Sequence, residues 1–376
     1  MFTRRLICSW MIALMFITLP GAARAMPDDG GWSDDFFRNG MDKYVTALAL
    51  DGNGNLYAGG GFTTAGDIPV NHIAKWDGAG WTALGAGIDG GVIALAVDAN
   101  DNLYVGGNFT TAGGTIVNHI AKWDGTAWTA LGVGMDNSVH ALAVDENGHL
   151  YAGGHFTTAG GAPANRIAMW DGSTWTALDA GVNDGVSALA VDNSGNLYAG
   201  GYFVTAGGMP ANYIAKWDGV TWSALGSGTS GTVFELALDD NGNLYAGGSF
   251  LVAGGTIVSN IAKWDGITWA PLASGRNGFM FTLATDDSGN LYAGGDFMTV
   301  GDMSANRVAK WDGTSWTTLG SGIDGNAYAL ITDDRGTLYA GGDFTVAGGK
   351  PSLHIGQWVD LSAVQPNQFL PLMMGE

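Results

Sequence analysis

Seven tryptophans recur at a constant interval of 47 residues along this chain. They are Trp76, Trp123, Trp170, Trp217, Trp264, Trp311 and Trp358. Seven tyrosines, from Tyr57 to Tyr339, keep the same interval. An uninterrupted period of this length is typical of repeat architectures, in which each unit packs against its neighbours. The interval therefore constrains the fold far more than it constrains the function.

Each unit has the pattern of four short strands joined by turns. In the second unit, the apolar run 92–97 predicts a buried strand, and a tight turn of Asp and Asn leads to a second strand at 103–107. A longer loop rich in Gly and Thr precedes a third strand at 118–123, and a fourth follows at 128–131. Seven such units without a helical period predict an all-β fold, a seven-bladed β-propeller with four antiparallel strands per blade.

Pairs of glycines end the second strand of every unit. Gly59-Gly60, Gly106-Gly107 and Gly153-Gly154 are three of them. Glycine inside a strand marks a bulge or a place where another backbone approaches closely. We expect one of these two roles where neighbouring blades meet.

A second set of tryptophans predicts how the ring closes. Six of the periodic tryptophans are followed by another Trp five residues later, but Trp358 is not. Trp32 stands ahead of the first unit, so we expect the segment around it to supply the missing outer strand of the last blade. Such closure would remove exposed sheet edges.

The two ends of the chain differ from the repeats. Residues 1–25 combine Arg4-Arg5, a short apolar stretch and a small-residue end, which predicts a secretory signal peptide. The arginine pair leaves a twin-arginine export route open. The sequence then predicts a propeller at 26–360 and a short tail at 361–376, with no later segment of membrane-spanning length. We expect a secreted or cell-surface protein that does not span a membrane.

Charge and cysteine usage exclude several functions. Removing residues 1–25 removes three arginines and no acid, which takes the net charge from −20 to −23. Such a surface repels nucleic acid and anionic lipid, so we expect no nucleic-acid partner. The single cysteine, Cys8, lies in the predicted signal, so the mature protein has no disulfide or thiol chemistry. We expect a monomer.

The repeated string resembles known propeller families. In the second unit, Leu-Tyr-Val-Gly-Gly-Asn-Phe-Thr-Thr-Ala-Gly-Gly begins at Leu103, and Asn-His-Ile-Ala-Lys-Trp-Asp-Gly-Thr-Ala-Trp begins at Asn118. The string is similar to Rax2-like propellers, which include many exported bacterial proteins, and its Gly-Gly and Trp elements resemble Kelch repeats. Its Trp-Asp pairs resemble WD40 repeats, but the period is longer and the Gly-His element is missing. The resemblance implies a propeller over nearly the whole mature chain and transfers no catalytic residue.

The turn after each first strand resembles the opening of a calcium loop. The seven turns begin at Asp51, Asp98, Asp145, Asp192, Asp239, Asp286 and Asp333. A calcium loop also needs a distal bidentate carboxylate, whereas apolar residues follow these turns at once. We therefore expect aspartates that cap hairpin turns, with calcium as a less favoured alternative and no other cofactor.

One slot at the start of the third strand varies between units. It holds His72, His119, Arg166, Tyr213, Asn260, Arg307 and His354. Equivalent positions in adjacent blades should lie about 15 Å apart, too far for the three histidines to share a metal ion. A slot that varies while its neighbours stay constant is not needed for packing, so we expect it to face solvent or a ligand.

Two further positions vary near the predicted long loops. After the glycine pair stand Gly61, Asn108, His155, Tyr202, Ser249, Asp296 and Asp343. Second in the first strand stand Thr46, Ile93, His140, Ser187, Phe234, Phe281 and Tyr328. Loops on a rigid scaffold commonly carry binding sites. The sequence therefore predicts a recognition surface here, with Asn108, His155, Tyr202, Asp296 and Asp343 as candidate ligand-facing residues.

Glu235 is a further candidate because the other units have Ala or Thr at its position. It is either a buried carboxylate with a shifted pKa, which would mark a site, or a hydrated group that faces the channel. No nucleophile elbow, phosphate loop or His-Glu metal motif appears in the sequence. The sequence favours an exported, non-enzymatic scaffold that binds a protein or glycan through its long-loop face. An extracellular polysaccharide hydrolase or lyase and a structural cell-surface module remain alternatives.

Overall fold

The structure is a computed structural model that describes residues 31–36, 39–272, 278–301 and 303–360. Its strands form seven antiparallel sheets of four strands each, and the first strand of each sheet contacts the first strands of both neighbouring sheets. The sheets therefore surround a central channel, which confirms the seven-bladed β-propeller. The predicted signal peptide, 1–25, and the predicted tail, 361–376, lie outside the described residues.

Strands are numbered here by their order from the channel outward. The first strands are Val45–Leu50, Val92–Val97, Val139–Val144, Val186–Val191, Val233–Leu238, Met280–Thr285 and Ala327–Thr332. The second strands are Leu56–Gly60, Leu103–Gly107, Leu150–Gly154, Leu197–Gly201, Leu244–Gly248, Leu291–Gly295 and Thr337–Gly342. The third strands are Ile73–Trp76, Ile120–Trp123, Ile167–Trp170, Ile214–Trp217, Ile261–Trp264, Val308–Trp311 and Ile355–Val359. The fourth strands are Trp81–Ala83, Trp128–Ala130, Trp175–Ala177, Trp222–Ala224, Trp269–Pro271, Trp316–Thr318 and, for the last blade, Gly31–Trp32.

The long loop between the second and third strands contains a small hairpin that the sequence did not predict. Its strand pairs are Thr64–Ala65 with Ile68–Pro69, Thr111–Ala112 with Thr115–Ile116, Thr158–Ala159 with Ala162–Pro163, Thr205–Ala206 with Met209–Pro210, Val252–Ala253 with Thr256–Ile257, Thr299–Val300 with Met303–Ser304, and Val346–Ala347 with Lys350–Pro351. A positive-φ glycine at each tip, such as Gly113 at 57°, allows the turn. The long loops are therefore ordered elements of the blade.

The N-terminal segment closes the ring as predicted. Trp32 pairs with Trp358 in an antiparallel register, and the two ring centroids lie 5.8 Å apart. The Trp32 indole N–H donates to the Leu319 carbonyl of the preceding blade at 2.9 Å. In the second blade, the Trp128 indole N–H donates in the same way to the carbonyl of Leu84, which follows the first blade, also at 2.9 Å. The Trp32 strand therefore occupies the position that a fourth strand has in the other blades.

Blades adhere through apolar clusters that each span two neighbours. In one cluster, Tyr57 and Ile73 of the first blade pack with Val92, Phe109 and Trp128 of the second. The first glycine of the pair that ends each second strand makes room for this contact. A Cβ added at Gly106 would lie 2.6 Å from the Val139 side chain of the next blade, so these glycines allow the close approach that the sequence predicts.

The third strands begin two residues later than predicted. In the second blade the strand is Ile120–Trp123, whereas the prediction began at residue 118. Asn118 and His119 have φ angles of 46° and 68°, in the left-handed region that is incompatible with a strand. The variable slot therefore belongs to the end of the long loop.

Candidate functional site

The long loops and the connections between blades form one end of the propeller, here called the long-loop face. Ile88 lies in the connection that enters the second blade, pairs with Ala112 of that blade's hairpin and donates its N–H to Asn71 of the preceding blade at 3.0 Å. Asp89 accepts N–H bonds from Thr110 and Thr111, both at 2.9 Å. The turns between first and second strands lie at the opposite end. The long-loop face is thus a hydrogen-bonded frame around the channel.

A β-bulge occurs at the second residue of every first strand. In the fifth blade Val233 pairs with Gly248 and Glu235 with Gly247, which leaves Phe234 as the extra residue. A bulge bends the strand and turns the extra side chain away from the regular alternation. The variable first-strand position of the sequence is this bulge residue, and His140 and Tyr328 at this position line the channel. The bulges therefore present the most variable residues at the channel mouth.

Six aromatic rings from five successive blades follow one another around the channel mouth, and we call them the aromatic arc. They are His140, His155, Tyr202, Phe234, Phe281 and Tyr328. Successive ring centroids lie between 4.8 and 6.4 Å apart, within the range of interacting aromatic pairs. Four of these side chains occupy the bulge position, in the third, fifth, sixth and seventh blades, and the arc thus joins residues that are far apart in sequence.

Two flanking rings extend the arc, and the sequence analysis missed both. Phe279 packs edge-on against Phe234 at 6.2 Å, and the Tyr44 ring lies over Gly61. Tyr44, Tyr202 and Phe279 keep 46%, 45% and 43% of their surface exposed. Tyr44 and Phe279 directly precede their first strands, at a position where other blades have Gly, Ser, Thr or Asn. Comparing the copies at that position would have found them.

Two predicted site aspartates hold the loops beside the arc. The Tyr328 hydroxyl donates to Asp343 at 2.7 Å, and the Asn326 N–H donates to the same carboxylate at 2.5 Å. Asp296 accepts the N–H of Phe279 in the sixth blade. Burial, together with the Asp343 carboxylate, raises the pKa of Tyr328. Each aspartate therefore fixes the backbone that carries an aromatic ring of the mouth.

The histidine pair of the third blade forms the other end of the arc. His140 and His155 meet edge-to-face with centroids 4.8 Å apart, and the Ser138 hydroxyl lies 3.0 Å from His140 Nε2. Burial, and then the neighbouring His155, lower the pKa of His140 to about 4. His140 is consequently neutral at neutral pH and acts as an aromatic, hydrogen-bonding wall of the channel.

A cavity of about 200 Å³ lies in the channel below the arc. Glu235 is part of its lining together with residues of the other six first strands, most of which are small or aliphatic. The Glu235 carboxylate accepts the N–H of Leu236 at 3.0 Å, and burial raises its pKa to about 8. The Glu235 side chain therefore faces the channel, and its raised pKa is that of a carboxylate removed from water.

The predicted third-strand slot is uniform in backbone conformation. Its residues have φ angles between 62° and 71° in all seven blades. His72 and His119 place Nδ1 at 3.3 Å and 3.2 Å from the carbonyl oxygens of their second strands. Asn260 is 7% exposed, and its amide bonds the Phe250 N–H and the Gly278 carbonyl. Asn260 is therefore occupied by the fold, while a ligand-facing role for the rest of the slot remains a prediction.

The other members of this slot also lie along the long loops. Arg307 is half-buried and donates through Nη1 to the Ile323 carbonyl at 3.2 Å. Burial lowers the pKa of His354. Tyr213 packs against the apolar cluster between the fourth and fifth blades, and Arg166 is half-buried. The structure does not bring these residues together into one cluster with the aromatic arc.

The aspartates of the tight turns bond protein donors. Asp51 accepts the N–H of Asn53 and Asn55, the Asn55 side chain and the Lys75 ammonium. These bonds explain the Asp-x-Asn-x-Asn pattern of this turn, because the aspartate caps the hairpin. Among the residues that the structure describes, no three His, Cys, Asp or Glu side chains are grouped to hold a metal ion. The calcium alternative gains no support from this arrangement and stays untested.

A second cavity, of about 610 Å³, lies at the ring seam on the tight-turn face. Its walls are the turns of the first and last blades, including Asp51 and Asp333. Both aspartates accept backbone N–H bonds within their own turns. Most of this cavity is thus formed by the repeated turns, with Asp35, Arg335 and Gln357 added at the seam.

Comparison with known proteins identifies the fold and no more. No family model matches the chain, and no curated protein matches it. The resemblance to Rax2-like and Kelch repeats therefore stays a prediction. In the described part of the chain, no helix has the length and apolar character needed to cross a membrane.

Two solved structures with a similar fold are extracellular domains. The chain is similar to the extracellular domain of the one-component system BT4673 of B. thetaiotaomicron, with a TM-score of 0.59 and 13% identity over 87% of this chain. It is similar at 13% identity to the corresponding domain of the hybrid two-component system BT3049, with a TM-score of 0.57. The chain spans 39% of either protein. At this identity the likeness shows a shared propeller fold.

Proposed function

We propose that this protein is an exported, non-enzymatic propeller scaffold that binds a protein or glycan ligand through its long-loop face. The aromatic arc at the channel mouth carries the proposal. Aromatic side chains provide a large contact area at a small cost in conformational entropy and are common in binding sites. The arc occupies positions that differ between blades, so the repeated scaffold does not require these rings.

The carboxylates at the mouth favour binding over hydrolysis. Glycoside hydrolysis uses two carboxylates that face each other across the scissile bond. Asp296 and Asp343 instead bond the backbone of the loops that carry the arc. Glu235 is the one carboxylate among the described residues that line the channel cavity. These three described carboxylates thus bond donors of the protein itself, which suits a site that contacts a ligand.

Several further observations support a location outside the cytoplasm. Residues 1–25 have the pattern of an export signal, and the similar solved domains are extracellular. The described strands have no open blade, because the N-terminal strand completes the last one. We therefore propose that the protein is secreted or held at the cell surface. Because its ring of blades is closed, we also propose that it is a monomer. We propose that it belongs with Rax2-like propellers.

A binding screen tests the proposal directly. Mature protein, residues 26–376, is applied to a glycan array and to a protein array, and each positive ligand is measured again with Tyr202→Ala and Phe279→Ala. Both side chains are exposed at the mouth, so we expect each substitution to weaken binding by roughly tenfold or more, as for a central contact residue.

The matched control is Ile267→Ala, which removes an 82% exposed apolar side chain from a turn on the tight-turn face. Its binding should equal that of the unmodified protein. Full affinity in both mouth variants would show that the ligand binds elsewhere and would overturn the proposal. Release of a cleaved product from an array glycan would favour the hydrolase or lyase alternative.

A further inference from the structure

The rings of the mouth line a curved wall. His140 and His155 meet at an interplanar angle of 79°, and Phe234 meets Phe279 at 90°. Tilted pairs between 35° and 56° connect the remaining rings. A cage for an ammonium group directs several ring faces at one point. The arc instead spreads its rings over five blades, which suits an extended ligand with several apolar faces.

Hydrogen-bonding groups lie at the two ends of this wall. Asp343 accepts three bonds, from the Asn326 N–H, the Asn326 side chain and the Tyr328 hydroxyl, and an ionised carboxylate has about four acceptor sites. Asn108 is exposed at the equivalent position of the second blade, and His155 is half-buried at that of the third. Asp343 therefore provides an acceptor at the Tyr328 end of the arc, and Asn108 provides an amide in the blade that precedes its histidine end.

This combination of ring faces and hydrogen-bonding groups matches the surface of a sugar. A pyranose ring presents C–H groups on its faces and hydroxyl groups at its edge. The faces of aromatic rings are electronegative and attract polarised C–H groups, while amide and carboxylate groups bond hydroxyls. Binding sites of this kind are mostly apolar with a few placed polar groups.

The dimensions of the site argue against a folded protein segment. A stable protein–protein interface buries more than about 1,000 Å² in total and has a well-packed centre. The recess under the arc has a volume of about 200 Å³, and the framework around it is held by main-chain bonds between hairpins and connections. This recess is too small to receive a folded segment, so a narrow ligand that lies across the mouth suits the site better than a domain surface does.

We propose that the aromatic arc binds a neutral oligosaccharide, with sugar faces on Tyr202 and Phe279 and hydroxyl groups on Asp343 and Asn108. This inference rests on the proposed binding function and narrows its ligand to one class. The mature protein, with a net charge of −23 once residues 1–25 are removed, would disfavour anionic glycans, so the ligand is an uncharged one.

Calorimetric titration with neutral hexasaccharides of glucan, mannan, xylan and galactan tests this inference. We expect at least one to bind the mature protein. Tyr202→Ala and Phe279→Ala should weaken that binding by roughly tenfold, and Asp343→Asn should weaken it by a similar factor. Circular dichroism spectra of every variant establish that the propeller is intact.

The control Ile116→Ala removes a 70% exposed apolar residue from the outer rim of the same face, and its affinity should be unchanged. If no hexasaccharide binds but an array protein does, and Tyr202→Ala abolishes that binding, the oligosaccharide inference is overturned and the proposed function survives. If an oligosaccharide binds equally to all variants, the arc is not its site. If neither class of ligand binds, the proposed function itself fails.

Discussion

Glu235 shows how one residue can depart from a repeated pattern. The equivalent residues of the other blades are Ala, or Thr in the sixth blade, and they fit the narrow space beside the channel. A carboxylate placed there loses most of its hydration, and burial raises its pKa from 4.5 to about 8. The folded protein therefore holds a proton on Glu235 at neutral pH that the unfolded chain releases.

This difference predicts a pH-dependent stability for Glu235→Gln. The native state binds more protons than the unfolded chain between about pH 4.5 and pH 8, so the unmodified protein loses stability across that window as the pH rises. Glutamine does not titrate, and the melting temperature of the variant relative to the unmodified protein should increase from pH 5 to pH 8. Circular dichroism melts at unit pH intervals measure it.

Glu146→Gln is the matched control, because Glu146 is exposed in a tight turn. Its melting temperature should track that of the unmodified protein. Parallel pH curves for Glu235→Gln and the unmodified protein would contradict the shift. His140 has the opposite pH dependence. Its pKa is lowered in the native state, so the unfolded chain binds more protons and the protein loses stability as the pH falls below about 6.5.

At the scale of the element, the blade is shaped by a bulge and a glycine that face each other. The bulge at the second residue of the first strand directs a variable side chain to the mouth, as with Phe234. The glycine pair opposite the bulge lets the next blade approach. Gly200 is such a glycine, and a Cβ at its position would lie 2.6 Å from Val233 Cγ1. One local device therefore serves both blade packing and the recognition surface.

Gly200→Ala should consequently destabilise the propeller by about 1–3 kcal/mol, the usual cost of overpacking a tight contact. Urea unfolding followed by tryptophan fluorescence gives the free energy of unfolding. Gly80→Ala is the control, because nothing lies within 4 Å of a Cβ at Gly80. Equal free energies of unfolding for the two variants would show that neighbouring blades can make room for the added Cβ without loss of stability.

The whole molecule depends on a seam that joins its two ends. Residues Gly31–Trp32 complete the last blade, and the Lys350 ammonium donates to the Trp32 carbonyl at 2.9 Å. Phe36 continues the seam into the first blade, where it packs between Trp76 and Trp81. Without this segment the third strand of the last blade would become an exposed edge, which invites association with other chains.

Loss of one buried tryptophan costs about 3–5 kcal/mol. Deletion of residues 26–40 should therefore lower the free energy of unfolding by more than this amount. Differential scanning calorimetry would record the melting temperature, and size-exclusion chromatography would reveal self-association. Deletion of residues 361–376 serves as the control of similar length. A melting temperature unaffected by the first deletion would contradict closure of the ring by Trp32.

Repeat spacing and local pattern account for the parts of the fold that were predicted. The interval between tryptophans, the apolar runs and the Asp-Asn turns are short-range features, and the missing partner of Trp358 led to Trp32 by counting alone. The sequence did not reveal the hairpins of the long loops. It also placed the third strands too early, because the left-handed conformation of Asn118 and His119 depends on how the loop returns to the blade.

Sequence alone was enough for the seven blades, because each is encoded within one repeat, and for the seam, because the missing partner of Trp358 pointed to Trp32. The tertiary structure alone decided which variable residues meet. His155, Tyr202 and Tyr328 were singled out from the sequence by their variation, while Phe279 and Tyr44 were missed. Their rings come together because bulges turn strand residues toward the channel and ring closure brings distant blades side by side, which is a long-range consequence of packing.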